Sequence, residues 1–186
     1  MKTAEELVAR ILLRPEALKK LQPSESIDVL LLGEIRVVSD LALSGGKNIG
    51  DPGMFALVRG GLLYLLDAID EAHVLFQDVA SDIGAYWHGM AHRREGDFDN
   101  ARYWFRRSGT LPVFDSMHRA ASQHSADMAR QFTWDPYLFA NQCEQARFGA
   151  NELHPELAAL QRIEFEVLFE YCLRKSALDA GRSPAK

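Results

Sequence analysis

The sequence predicts an all-α protein of about seven to eight helices, in which two tandem hairpins pack on flanking helices. No segment shows the strict apolar and polar alternation that a half-buried strand requires. The chain also repeats, because residues 56–79 align with residues 85–108 at a shift of 29 positions. This repeat predicts two consecutive antiparallel helical hairpins, at about 54–80 and 82–108. The aligned pairs include Gly60 with Gly89, Ala72 with Ala101, and Phe76 with Phe105.

Two helices are predicted before the hairpins. The first begins with a capping box, in which Thr3 is followed three residues later by Glu6, and Pro15 ends or kinks it. The second begins after Pro23, has apolar residues at helical spacing and ends at Gly45.

Three helices are predicted after the hairpins. One covers about 115–131. In the next, Asp135 is the N-cap and Pro136 occupies the first helical position. The last begins at Pro155 and runs to about Leu178.

Length and composition predict one domain over residues 1–180 and a disordered tail over residues 181–186. The net charge of −5 argues against a nucleic-acid-binding protein. No apolar run approaches the roughly 20 residues of a membrane span, and the acidic N-terminal segment does not resemble a signal peptide. We therefore expect a cytoplasmic protein that binds no membrane, with Cys143 and Cys172 as buried, reduced thiols.

Each hairpin resembles a tetratricopeptide unit. In the second hairpin, Gly89 lies on the first helix, residues 96–98 form the turn, and Ala101 and Phe105 lie on the second helix at the spacings of that family. The small residues let the two backbones approach closely, and the phenylalanine fills the space one turn further on. The resemblance also implies a concave binding groove along the outer face of each first helix. In the second hairpin this groove is expected to include Tyr86, Met90, Arg93 and Arg94.

A second resemblance covers the string Tyr86-Trp-His-Gly-Met-Ala-His-Arg-Arg-Glu95 together with Tyr103-Trp-Phe-Arg-Arg107. This segment is similar to a signature of an uncharacterised, mainly bacterial protein family. That resemblance implies no activity.

The second hairpin is richer in aromatic, histidine and arginine residues than the repeat explains. Arginine side chains form bidentate contacts with carboxylate and phosphate groups. The sequence therefore favours a noncatalytic, helical-repeat-like module that binds a protein segment or an anionic small molecule. A solvated surface, on which these arginines pair with nearby acids, is the alternative. The predicted ligand-binding residues are Tyr86, Trp87, His88, His92, Arg93, Arg94, Arg102 and Arg106.

Three of the polar residues form one stripe on a helix: His88, His92 and Glu95. Two histidines four residues apart, with a carboxylate one turn further on, can hold zinc or a similar ion. His118 and His124, on a later helix, are candidate further ligands. The second hypothesis is thus a metal- or cofactor-assisted enzyme. Two alternatives stay open, namely histidines hydrogen-bonded to each other's neighbours or to a buried acid such as Glu164, and a ligand pocket.

Other catalytic patterns and organic cofactor motifs are lacking, and no cofactor is predicted. Asp70-Glu-Ala-His73 copies the letters of a helicase motif, but neither a strand nor a phosphate-binding loop accompanies it. We assign it to the start of a hairpin helix without a chemical role.

Glu164 lies on the apolar face of the last helix, with Leu160, Val167 and Tyr171. A carboxylate in this position requires a partner, for which an arginine or histidine of the second hairpin is predicted. The alternative is a glutamate that reaches solvent at the edge of the face.

A third functional hypothesis is a structural domain that self-associates as a homodimer through its aromatic surface.

Overall fold

The computed structural model describes residues 2–147 and 154–177, which contain eleven helices and no strand. The all-α prediction is therefore confirmed, with more helices than the seven to eight expected. The predicted tail at 181–186 lies outside the described residues. The helices are α1 (Ala4–Leu12), α2 (Val29–Val37), α3 (Asp40–Leu43), α4 (Pro52–Leu65), α5 (Ile69–Gln77), α6 (Asp82–Glu95), α7 (Phe98–Ser108), α8 (Phe114–Ala121), α9 (Ala126–Ala129), α10 (Pro136–Ala146) and α11 (Pro155–Ser176).

Two of the additional helices arise because two predicted helices divide. The predicted second helix becomes α2 and α3 because Ser39 interrupts it and caps α3, accepting a hydrogen bond from the backbone of Ala42. The helix predicted over 115–131 becomes α8 and α9, since Ser125 caps the backbone of Met128 in the same way. A serine favours a helix start because its side chain satisfies an amide that the helix leaves free.

The predicted helix starts are confirmed at three places. Thr3 and Glu6 form the capping box of α1, with the threonine hydroxyl and the glutamate carboxylate each accepting from the other residue's backbone amide. Asp135 caps α10, in which Pro136 is the first residue. Pro155 begins α11.

The two predicted hairpins are α4 with α5 and α6 with α7. At the crossing of α6 and α7, a Cβ atom added to Gly89 would lie 2.7 Å from the ring of Phe105. The equivalent Gly60 has the same relation to Phe76 in the first hairpin. The close approach predicted from the repeat is therefore present in both hairpins, and each phenylalanine fills the space opposite its glycine.

Helix α6 lies at the centre of the fold, in contact with α4, α5 and α7. Eleven of its fourteen residues are buried, so this helix has no broad face toward solvent. Several of the buried side chains are polar, and each needs a partner inside the protein.

The buried pair of Arg93 and Glu164 joins α6 to α11. The two side chains are 1% and 0% exposed. The guanidinium donates to both carboxylate oxygens, and the Tyr86 hydroxyl donates to the same carboxylate at 2.8 Å. Burial alone opposes the charge of Arg93, but the Glu164 carboxylate outweighs burial and raises the pKa of the guanidinium. The partner predicted for Glu164 in the second hairpin is thus confirmed as an arginine.

Arg94, the next residue of α6, is also internal. It forms an ion pair of 2.6 Å with Asp67, and the two side chains are 0% and 1% exposed. It also donates to the backbone carbonyls of Tyr64 at 3.0 Å and Lys20 at 3.1 Å. These contacts hold the end of α4 and the segment before α2 against α6.

Among the described residues, we find no helix that combines the length and the apolar character needed to cross a bilayer.

We expect Gly89→Ala to lower the free energy of unfolding by about 1–3 kcal/mol, since the added methyl group overpacks the contact with Phe105. Urea denaturation measures this loss. Gly33→Ala is the matched control, because a Cβ atom there has no neighbour within 4 Å. That change is expected to stabilise α2 by up to about 1 kcal/mol. Equal effects at the two glycines would contradict the close approach.

We expect Glu164→Ala to cost about 3–5 kcal/mol, because it leaves the charge of Arg93 buried without a partner. Combining Arg93→Met with Glu164→Leu is expected to recover most of this loss, since neither charge then remains in the interior. Chemical denaturation of the single and double variants measures both effects.

The exposed pair of Arg162 and Glu166, also on α11, provides the control. Its side chains are 47% and 42% exposed, and Glu166→Ala is expected to cost less than about 1 kcal/mol. A loss no greater for Glu164→Ala than for Glu166→Ala would show that the buried pair does not stabilise the fold.

Candidate functional site

Three histidine side chains meet where α5 packs against α6. His73 comes from α5, and His88 and His92 come from α6. Their ring centroids are 4.4–4.8 Å apart, and one ring nitrogen from each lies within 4.8 Å of the others. The Nε2 atoms of His73 and His88 are separated by only 2.6 Å. Two nitrogen lone pairs do not face each other at this distance, so a proton must lie between them.

Helix geometry explains why these residues converge. His88 and His92 are four residues apart and therefore lie on one side of α6. Helix α5 precedes α6 with only residues 78–81 between them, and the two helices pack together. Gly96 ends α6 in the left-handed region at φ 81°, which places Glu95 in the last turn, beside His92.

The Glu95 carboxylate lies on the outer side of the histidine cluster. One of its oxygens is 2.5 Å from Nδ1 of His73, and the other is 3.2 Å from Nδ1 of His92. A carboxylate at Nδ1 holds a proton there, which leaves the Nε2 lone pair available as a ligand. Burial alone would raise the pKa of Glu95, but the neighbouring side chains of His73 and His92 outweigh it and lower the pKa to about 2. This carboxylate is therefore ionised at neutral pH.

His88 forms the buried floor of the cluster, with 5% of its surface exposed. Its ring stacks on Trp104 of α7 at a centroid distance of 4.0 Å, and its Nδ1 atom is buried without a hydrogen-bond partner among the described residues. Burial, followed by the neighbouring His73 and His92, lowers the pKa of His88 to about 4. The ring is thus neutral at pH 7, in the form that binds metal ions.

The structure brings only two of the eight predicted ligand-binding residues together at this site, His88 and His92. Arg102 donates to Glu144 at 2.7 Å and to Asp99 at 2.7 Å on another side of α7, and Arg106 is exposed. The other four predicted residues are buried in the core: Tyr86, Trp87, Arg93 and Arg94.

The groove implied by the tetratricopeptide resemblance is not lined by the residues expected there. Tyr86, Met90, Arg93 and Arg94 are each at most 1% exposed. Helix α11 covers this part of α6 through the carboxylate of Glu164. A helix surface that meets another helix is not accessible to a ligand.

His73 is the member of the cluster that the sequence did not predict as a ligand. The two further candidates do not belong to the cluster. His118 lies on α8, where its Nε2 is 3.1 Å from the carbonyl oxygen of Met128, and His124 is exposed after the end of α8. The sequence feature that could have indicated His73 as a member of the cluster is its place on the helix that precedes α6 in the chain. Neighbouring helices of a hairpin array pack together, so one histidine on α5 can reach a pair on α6.

We expect the metal-free protein to lose stability as the pH falls from about 6.5 to about 4. Folding lowers the pKa of His88 from 6.5 to about 4, so in this range the unfolded chain binds a proton that the folded protein does not. The melting temperature in metal-free buffer at a series of pH values measures the decline. The variant His88→Gln, which cannot titrate at this position, is expected to show a shallower decline. Parallel curves would contradict a perturbed His88.

No family model, curated protein or solved structure matches this chain. The resemblance of the hairpins to tetratricopeptide units therefore stays a prediction.

Proposed function

We propose that this protein binds a divalent transition-metal ion, with zinc as the best fit, through His73, His88 and His92. The observation that carries the proposal is the convergence of three imidazole rings, each with a nitrogen within 4.8 Å of the others. Neutral imidazole is a common ligand for such ions, and three of them make up the protein ligands of one well-known type of zinc site.

The outer carboxylate supports a metal site. Metal-binding histidines commonly donate their second ring N–H to a carboxylate, which fixes the ring and raises its basicity. Glu95 takes this position for His73, and its other oxygen lies 3.2 Å from Nδ1 of His92 without a hydrogen bond. A hydrogen-bonded network without metal explains the contact between His73 and His88. In such a network no neighbouring group among the described residues donates a hydrogen bond to His92, whereas in a metal site its ring nitrogen is a ligand.

The spacing of the nitrogen atoms also suits a metal. Bonds of 2.0–2.1 Å in tetrahedral geometry require ligand nitrogens about 3.3 Å apart. The present distances, from 2.6 Å between His73 and His88 up to 4.8 Å, bracket that value. Small ring rotations therefore bring the three atoms into place.

The donor set selects the class of ion. Three nitrogen donors suit zinc, copper, nickel and cobalt, whereas magnesium and calcium prefer oxygen. The two cysteines supply no ligand, since Cys143 and Cys172 are free thiols buried elsewhere.

This proposal replaces the binding of a segment or anion through an arginine patch. That hypothesis included Arg93 and Arg94 in the binding patch. Both arginines instead form buried ion pairs, with Glu164 and Asp67 respectively. The metal hypothesis keeps His88 and His92 as ligands and gains His73 as the third, while Glu95 becomes the hydrogen-bond partner of His73.

Protein purified without a polyhistidine tag is expected to bind one zinc ion per chain. His73→Ala should weaken binding by more than about 100-fold, since even outer-shell partners of metal ligands contribute 10–100-fold. For Glu95→Gln we expect a loss of about 10–100-fold. Isothermal titration calorimetry of the metal-free protein, with elemental analysis of the loaded protein, measures both.

His124→Ala is the matched control, because His124 is an exposed histidine outside the cluster, and its zinc affinity is expected to equal that of the unmodified protein. Circular dichroism of each variant shows whether it has folded. Zinc that neither binds stoichiometrically nor raises the melting temperature would assign the histidines to a hydrogen-bonded network instead.

A further inference from the structure

We infer that the bound metal keeps a fourth coordination position open to solvent, and that this position takes a water molecule or a small monodentate anion. The inference rests on the proposed metal site and adds the class of its exchangeable ligand. Three protein ligands with one open position distinguish reactive metal sites from structural ones, which are closed by four protein ligands.

The nearest carboxylate cannot fill this position. Glu95 lies 2.5 Å from Nδ1 of His73, whereas the nitrogen of His73 that faces His88 is Nε2. The two nitrogens of an imidazole ring point away from each other. A carboxylate bound at Nδ1 is thus on the far side of the ring from an ion held at Nε2.

A second carboxylate, that of Asp97, is occupied by another role. It accepts hydrogen bonds from the backbone amide and the side-chain amide of Asn100 at 3.2 Å and 2.7 Å, as the N-cap of α7. Its closest approach to the cluster is 3.8 Å, to Nδ1 of His92. It therefore lies on the same outer side as Glu95.

The described part of the chain offers no other fourth ligand at this point. The cluster of potential metal-binding groups there consists of the three histidines, without a cysteine, aspartate or glutamate. The thiol of Cys172 instead accepts from the indole nitrogen of Trp87 at 3.3 Å, in the core.

The exposure of the side chains shows where the open position lies. His88 is the buried floor, whereas the side chains of His73 and His92 are 20% and 13% exposed. An ion between the three rings is therefore reached from the His73 and His92 side. Both nearby carboxylates are already hydrogen-bonded, so the exchangeable ligand is held by the metal itself.

Cobalt(II) is the probe for this inference, because its visible absorption reports the number and geometry of its ligands. The metal-free full-length protein is loaded with one equivalent of cobalt and titrated with sodium azide. We expect a saturable change in the visible spectrum, complete at one azide per cobalt. Asp97→Asn is expected to show the same stoichiometry, since this carboxylate is not a ligand.

The outcomes separate the two proposals. Cobalt binding without any spectral change up to millimolar azide would mean that the fourth position is closed, which overturns the inference and leaves the metal site intact. A response to azide that appears only in Glu95→Gln would identify Glu95 as the fourth ligand and also overturn it. Failure to bind cobalt or zinc at all would overturn the metal site and the inference together.

Discussion

The buried ion pair between Arg93 and Glu164 is the constraint on which the rest of the structure depends. Two charges inside a protein are tolerated only when each compensates the other at close range and their remaining hydrogen-bonding groups are satisfied. The Tyr86 hydroxyl donates to the Glu164 carboxylate and accepts from the indole nitrogen of Trp134, which adds two hydrogen bonds to the pair. Any rotation of α6 about its axis would separate the guanidinium from the carboxylate. The pair thus fixes which side of α6 meets α11.

Once the side of α6 that meets α11 is fixed, the helical repeat determines where the other two polar sides of α6 lie. Arg94 follows Arg93 by about 100° and reaches Asp67 at the end of α4. His88 and His92 lie on a further side, which faces α5 and α7. The histidine cluster is therefore positioned by interactions that do not involve it, and its rings are carried on a helix held firmly by its neighbours. Rigid support of this kind is what a binding site requires.

Local patterns in the sequence were sufficient for the hairpins, their close glycine contacts and most helix starts. These features depend on residues within one helix or one hairpin, as with Gly89 and the Phe105 that fills the space opposite it. The burial of Arg93 and Arg94 was not predictable in this way, because basic residues near the end of a helix are ordinarily solvated. Their partners lie 71 and 27 residues away in the chain. The unexpected apolar position of Glu164 nevertheless indicated one end of the longer pair.

The first hairpin has the same helical arrangement without a histidine cluster. It therefore shows which side chains the packing accepts at the positions that align with the cluster. The residues there that align with His88, His92 and Glu95 are Arg59, Leu63 and Leu66. The two leucines are buried in the core, and the arginine donates to the carbonyls of Ile35 and Val38 at the end of α2. Apolar side chains thus satisfy the packing of this scaffold at two of the three positions. In the second hairpin, polar groups occupy the same positions. Their burial costs desolvation free energy, although apolar side chains would satisfy the packing. Departures from local packing rules concentrate where a protein carries out its function, and this comparison locates the departure at the histidine cluster.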